Sequence, residues 1–153
     1  MRTSGPAAAL ITAGAVVAVD QASKQIVIES VGRGDAVSVV PGLEIVNARN
    51  TGVAFGALEG GGWLLAVLIG LSLALLLGYF ALHRERPWLW LPVGLLFGGA
   101  VGNLADRARE GAVIDFIDPV AWPAFNVADT CIVVGVFVLL YLAEGRSRRA
   151  RSA

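Results

Sequence analysis

Four apolar stretches separated by polar segments set the pattern of the chain, at residues 7–31, 63–82, 88–104 and 126–143. A helix needs roughly 20 residues to cross about 30 Å of hydrocarbon, so we predict four membrane-spanning helices at these positions. The whole chain, residues 1–153, then forms a single membrane domain. A cleaved signal peptide is the competing interpretation of the first stretch, because Arg2 precedes a short apolar core. It is disfavoured since no convincing small-x-small cleavage motif follows that core and the downstream chain is itself apolar.

The polar segments between these stretches are expected to lie outside the bilayer. Residues 32–62 contain short alternating runs interrupted by Pro41-Gly42 and Thr51-Gly52, which is typical of strands in a small β-sheet. Residues 105–125 connect the third and fourth helices, and residues 144–153 form a basic tail that we expect to be disordered. The predicted fold is therefore an all-α membrane bundle of four transmembrane helices with a small extracytoplasmic β-sheet.

Glycine recurs every four residues in the third stretch, at Gly94, Gly98 and Gly102. Residues four apart lie on one face of a helix, and a strip of small side chains there lets a neighbouring helix approach closely. We favour this packing interpretation over a functional one for the strip.

The basic residues predict which way the helices cross the membrane. Arg2, Arg84, Arg86 and the four arginines of the tail make seven of the 12 basic residues, and four spans place all of them on one side. Basic loops stay in the cytoplasm, so both termini are expected to be cytoplasmic. The unusual polar residues of the spans then all fall at the opposite, extracytoplasmic end.

The composition narrows the classes of function. Hydrophobic residues make up 56% of the chain and the mean hydropathy is +0.71, which is typical of membrane proteins. Acidic and basic residues are equal in number at 12 each, so no basic surface suited to nucleic acid is expected. Cys131 is the only cysteine and His83 the only histidine, which disfavours a disulfide, a thiolate metal cluster and a zinc site. We expect no metal and no cofactor.

Several polar residues have simple structural interpretations. Asp20 and Lys24 are four residues apart on one helix face, where an acid and a base neutralise one another. Asn126 and Asp129 have the spacing of a helix cap followed by an acid in the first turn. Asp106 fits a structural role at a helix end and a functional role equally well.

Asp115 differs because the run VIDFI surrounds it with apolar residues, so its carboxylate is expected in a dry setting. Such a group stays protonated or finds a second carboxylate. Two carboxylates at short range share one proton, and one then acts as acid while the other acts as base, as in an aspartic protease. A serine–lysine site would require Lys24 against Ser30 or Ser38, neither of which has a recognisable context. A proton-coupled carrier and a small assembly protein are the alternatives outside the protease class.

Five stretches of the chain together carry a family resemblance: DQASK from Asp20, NTGVAFG from Asn50, GNLADR from Gly102, VIDF from Val113, and FNVAD from Phe125. In this order and within four spans they resemble lipoprotein signal peptidase, also called signal peptidase II. The resemblance implies an aspartic endopeptidase of the bacterial cytoplasmic membrane, multi-pass, with its active site at the extracytoplasmic face. Its substrate would be a prolipoprotein, cleaved before a cysteine that carries a diacylglyceryl group.

The resemblance also implies roles for individual residues. The catalytic pair falls on Asp115 and Asp129, and the choice of the initial base stays open because such a pair titrates as a unit. The supporting and substrate-contacting positions fall on Asn50, Asn103, Asp106, Arg107 and Asn126. Asp20 and Lys24 match a polar pair that holds the helices together.

Two further expectations follow from the resemblance. The link IDPVAWPA between VIDF and FNVAD is shorter than expected for the family, so the loop over the site is trimmed. The expected partners are the prolipoprotein and membrane lipid, without nucleic acid, and the protein is expected to act as a monomer.

Overall fold

The computed structural model describes residues 5–52, 62–119 and 121–151, with the side chains of 62–66 and 145–151 excepted. Its elements in chain order are α1 Gly5–Ser30, β1 Ala36–Val40, β2 Leu43–Asn50, α2 Gly62–Leu82, α3 Trp90–Glu110, β3 Val113–Pro119 and α4 Val127–Arg151. Helices lie at all four apolar stretches, as predicted. Two helices extend beyond the predicted spans: α3 continues six residues past residue 104, and α4 continues through most of the tail that we expected to be disordered.

The sheet is antiparallel with the strand order β1-β2-β3. Its first two strands lie within residues 32–62, as predicted, but the third was missed because residues 105–125 were interpreted only as a connection. The signal was present, since VIDFI is rich in β-branched and aromatic residues and lies between Gly111 and Pro119. Gly111 ends α3 with a φ of 71°, a left-handed conformation that suits glycine. The chain therefore turns directly from α3 into β3.

Two helices of the described residues have the length and hydropathy of a membrane span, Gly5–Ser30 and Val127–Glu144. A shorter apolar helix covers Val67–Leu82. The surface pattern is that of a protein in lipid: Leu10, Leu75 and Phe137 are 67–71% exposed, whereas charged side chains lie inside. The count of four spans and the orientation of the termini remain predictions.

The glycine strip of α3 packs against α1. A Cβ atom on Gly94 would lie 2.8 Å from the carbonyl oxygen of Ala9, and one on Gly98 would lie 2.7 Å from that of Ala13. Neither distance leaves room for a methyl group, so glycine is required for this helix contact, as the packing interpretation predicted. On another face of α3, a Cβ on Gly99 would lie 2.5 Å from the carbonyl oxygen of Ala128 in α4. The helix α3 is thus held closely between α1 and α4.

Candidate active site

Two aspartates reach one site from different elements. Asp115 lies on β3, opposite Ala48 of β2, and is only 3% exposed. Asp129 lies in the first turn of α4 and is half-buried. Backbone hydrogen bonds join β3 to the residues just before α4, because Ile117 and Phe125 exchange N–H···O hydrogen bonds at 2.9 Å each. The short link thus returns the chain directly from β3 to the start of α4.

Two asparagine amides connect the aspartates. Asn126 Nδ2 donates to Asp115 Oδ1 at 2.8 Å, and Asn103 Nδ2 donates to Asp129 Oδ1 at 2.8 Å. The two amides also contact each other, since Asn126 Nδ2 lies 3.1 Å from Asn103 Oδ1. From β2, Asn50 Nδ2 donates to Asp115 Oδ2 at 2.9 Å. Residues predicted from four separate sequence stretches are therefore in contact in one hydrogen-bonded site.

The electrostatics of the site favour a proton on Asp115. Burial raises the pKa of Asp115, and the negative charge of Asp129 raises it as well. The hydrogen bonds from Asn50 and Asn126 and the charge of Lys24 act in the opposite direction, because each favours the ionised carboxylate. The net direction is upward, so Asp115 holds a proton more readily than an ordinary aspartate does.

A buried ion cluster lies beside the aspartates. Lys24 Nζ is 2.8 Å from Asp20 Oδ2 and 2.6 Å from Asp106 Oδ2, and these three side chains are almost completely buried. The predicted pairing of Asp20 with Lys24 is confirmed, with a second carboxylate added. Charges this deep must be paired, because an unpaired charge inside the protein is very costly.

Asp20 also ties α1 to the helix that carries Asp129. Its Oδ1 accepts a hydrogen bond of 3.0 Å from the backbone N–H of Ala128, one of the unsatisfied donors at the start of α4. The position of α4 relative to α1 is thus set one residue before Asp129. This contact joins residues 108 positions apart, so sequence spacing gave no indication of it.

Asp106 and Arg107 are neighbours in sequence but have different surroundings. Asp106 is 0% exposed, paired with Lys24, and accepts the backbone N–H of Ile114 at 3.3 Å. These contacts fit the supporting role implied for Asp106, and its contact with substrate stays a prediction. Arg107 is half-buried, and the acidic charges that act on it most strongly are those of Asp129 and Asp115. Its Nε is buried and has no hydrogen-bond partner among the described residues.

Two polar residues of this region were missed from the sequence. Gln21 Nε2 donates to Asp20 Oδ2 at 3.0 Å, to Asp106 Oδ1 at 2.9 Å and to the carbonyl oxygen of Gly102 at 3.2 Å. Asn47 Nδ2 donates to the carbonyl oxygen of Val31 at 2.7 Å and so fastens β2 to the end of α1. For Asn47, the available signal was an amide side chain within an alternating strand pattern. Gln21 lies inside DQASK, where only the charged end residues have the spacing of an ion pair.

Part of the predicted site cannot be placed. Residues 53–61, which hold most of NTGVAFG, lie outside the described residues, as does position 120 in the short link. Among the described positions, no group of three histidine, cysteine, aspartate or glutamate side chains is arranged to hold a metal ion.

The signal peptidase II family model matches residues 12–143 of the chain. The lipoprotein signal peptidase of Pelotomaculum thermopropionicum is 42% identical over 128 residues, which cover 82% of this chain and 84% of that protein. The lipoprotein signal peptidase of Syntrophotalea carbinolica is 41% identical, with 90% of each chain covered. A bacterial membrane enzyme solved by the in meso method superposes with a TM-score of 0.78 at 34% identity, covering 87% of this chain and 90% of that one. The chain therefore belongs to the signal peptidase II family.

Proposed function

We propose that the protein is an aspartic endopeptidase that removes signal peptides from prolipoproteins, cleaving before a diacylglyceryl-modified cysteine, with Asp115 and Asp129 as its catalytic pair. The observation that carries the proposal is the amide bridge through Asn103 and Asn126, which holds two carboxylates of different elements at one site. Membership of a peptidase family supports the reaction class. The lipoprotein signal peptidases among its relatives support the substrate class.

The environments of the two aspartates support different roles. Asp115 is buried in a strand with a raised pKa, so it starts as the acid. Asp129 lies in the first turn of α4, where the helix dipole favours negative charge, so it starts as the base. Asp129 takes a proton from water as the water oxygen bonds to the scissile carbonyl carbon, and Asp115 donates its proton to the carbonyl oxygen. The C–N bond then breaks as the departing cysteine nitrogen takes up the proton held by Asp129 and one hydroxyl of the tetrahedral intermediate returns a proton to Asp115. The products are the signal peptide acid and the lipidated amino-terminal cysteine.

We also propose that the chain crosses the cytoplasmic membrane four times, with both termini inside and the aspartates at the extracytoplasmic face. The apolar outer surface of the helices and the distribution of the arginines support this placement. An apolar cleft of about 370 Å³ lies between α2, α3 and α4, and its lining includes Leu68, Leu73, Leu96 and Ile132. Its size and apolar lining suit an acyl chain of the lipidated cysteine.

The proposal is tested with purified full-length protein in detergent and a prolipoprotein carrying diacylglyceryl-cysteine. Wild type is expected to release the signal peptide, whereas Asp115→Asn and Asp129→Asn are expected to be inactive while accumulating in membranes as wild type does. Cleavage by either variant would remove that aspartate from the pair. Failure of the wild type on the lipidated precursor would overturn the peptidase proposal and favour a proton-coupled carrier. Equal cleavage of a precursor without the lipid would overturn the specificity for diacylglyceryl-cysteine.

A further inference from the structure

Lys24 connects the buried ion cluster to the aspartate pair through one side chain. Its Nζ lies 3.1 Å from Asn103 Oδ1, and Asn103 Nδ2 in turn donates to Asp129 Oδ1 at 2.8 Å. We infer that Lys24 is a positioning residue of the proposed peptidase, which holds the Asn103 amide with its N–H₂ group towards Asp129. This inference rests on the proposed function and adds a role for Lys24 beyond pairing with Asp20.

The hydrogen-bonding capacity of Lys24 is fully used. A lysine ammonium has three donors and no acceptor. Its three acceptors are Asp20 Oδ2 at 2.8 Å, Asp106 Oδ2 at 2.6 Å and Asn103 Oδ1 at 3.1 Å. Pairing two carboxylates would occupy only two of the donors, so the third is directed specifically at the Asn103 amide.

The third contact acts together with Asn126 Nδ2, which is also 3.1 Å from Asn103 Oδ1, in deciding which end of the amide faces Asp129. Because Lys24 only donates, the end of Asn103 that faces it must be the carbonyl oxygen, and the opposite end is then the N–H₂ group. A reversed amide would bring two acceptor oxygens together at Asp129, which is tolerated only when that carboxylate is protonated. Lys24 therefore helps to keep a hydrogen-bond donor, rather than an acceptor, directed at Asp129 Oδ1.

Several other charged groups surround Lys24. Lys24 pairs with Asp20 on its own helix and with Asp106 on α3, and its charge acts on Asp115 of β3. Arg109 contacts Asp106, the charge of Asp129 acts on Asp115, and Arg107 lies in the field of the same three aspartates. The Lys24 side chain is 2% exposed, so water screens its charge only weakly. Removing Lys24 alone would leave the buried carboxylates Asp20 and Asp106 with only the exposed guanidinium of Arg109, 3.5 Å from Asp106, as a paired cation among the described residues. A test must therefore remove one carboxylate together with the lysine.

The test compares Asp106→Asn with the double variant Lys24→Met/Asp106→Asn. The double variant carries the net charge of wild type, and the two variants differ only at Lys24. Cleavage of the diacylglyceryl-modified prolipoprotein is measured from pH 5 to pH 9, with kcat and KM determined separately. We expect Asp106→Asn to keep the pH profile of wild type. In the double variant we expect the acidic limb to move up by about one pH unit, kcat to fall about tenfold, and KM to stay within about twofold.

A purely structural role for Lys24 would lower the folded fraction and scale activity equally at every pH. An unshifted profile and equal kcat in the two variants would therefore overturn the inference. Wild-type cleavage in the same assay separates this failure from failure of the proposed function. If the double variant does not fold, neutron diffraction on the wild-type protein locates the amide hydrogens of Asn103. Hydrogens facing Asp129 are expected, and hydrogens facing Lys24 would overturn the inference.

Discussion

Asn126 and Asp129 cap the first turn of α4 reciprocally. Asn126 Oδ1 accepts the backbone N–H of Asp129 at 2.9 Å, and Asp129 Oδ2 accepts the backbone N–H of Asn126 at 3.3 Å. This arrangement is a capping box, the structural interpretation that the sequence favoured for these residues. It also serves the site, because the cap engages one oxygen of Asp129 and leaves Oδ1 directed at Asn103.

The double role of Asn126 predicts different effects for two substitutions. Asn126→Ala removes both the cap and the hydrogen bond to Asp115, so we expect about 1 kcal/mol less stability and about a hundredfold loss of cleavage. Asn126→Ser keeps a capping oxygen but loses the amide contacts with Asp115 and the carbonyl oxygen of Ile114, so we expect a smaller loss of stability than in Asn126→Ala with a similar loss of cleavage. Thermal unfolding in detergent and the peptidase assay measure the two effects. Full activity in Asn126→Ser would contradict the role of this amide in holding Asp115.

The contact between α1 and α3 predicts that Gly98 does not tolerate a methyl group. In Gly98→Ala the new Cβ would lie 2.7 Å from the carbonyl oxygen of Ala13 and 2.8 Å from Val16 Cβ, so the helices must separate. We expect a loss of about 1–3 kcal/mol, seen as a lower Tm and less protein in the membrane fraction. The matched control is Gly70→Ala, where nothing lies within 4 Å of the added atom. Its Tm is expected to stay or rise, because alanine favours helix more than glycine does.

The buried ion cluster predicts that Asp106 is needed for folding. Asp106→Ala leaves Lys24 with one carboxylate fewer and removes the acceptor of the Ile114 N–H. Breaking a buried charge network of this kind costs about 3–5 kcal/mol, so we expect little folded protein in membranes. Glu29→Ala is the control, since it removes an exposed acid and one exposed hydrogen bond with Gln25. It is expected to change the stability by less than about 0.5 kcal/mol. Wild-type accumulation of Asp106→Ala would contradict the structural role.

The raised pKa of Asp115 predicts how stability depends on pH. The folded state holds the Asp115 proton more tightly than the unfolded chain does, because burial disfavours the ionised form. The stability from this group is full below the unfolded pKa and is lost as the pH rises through the raised folded pKa. Asp115→Asn cannot ionise, so its Tm relative to wild type is expected to increase between pH 4 and pH 8. A constant difference in Tm over that range would show that Asp115 titrates normally.

Much of the architecture follows from local sequence pattern. Each apolar stretch is long enough to predict its helix, and the alternating runs around Pro41-Gly42 predict two strands, because both patterns depend on neighbouring residues alone. The pairing of Asp20 with Lys24 and the cap formed by Asn126 and Asp129 are equally local. Fixed spacings of three and four residues on a helix determine these contacts whatever the rest of the chain does. The identification of the candidate aspartates depended on five short motifs that resemble one family.

Tertiary structure decided the contacts between distant parts of the chain. The third strand pairs with β2, Asp106 pairs with Lys24 of α1, and Asp20 caps a helix that begins more than 100 residues later. Sequence spacing carries no information on such contacts, because they depend on how closely the glycines of α3 allow the helices to pack. The sequence by itself therefore determined the four helices, the first two strands and the candidate site residues. Only the packed fold decided that two asparagine amides hold Asp115 and Asp129 in one site.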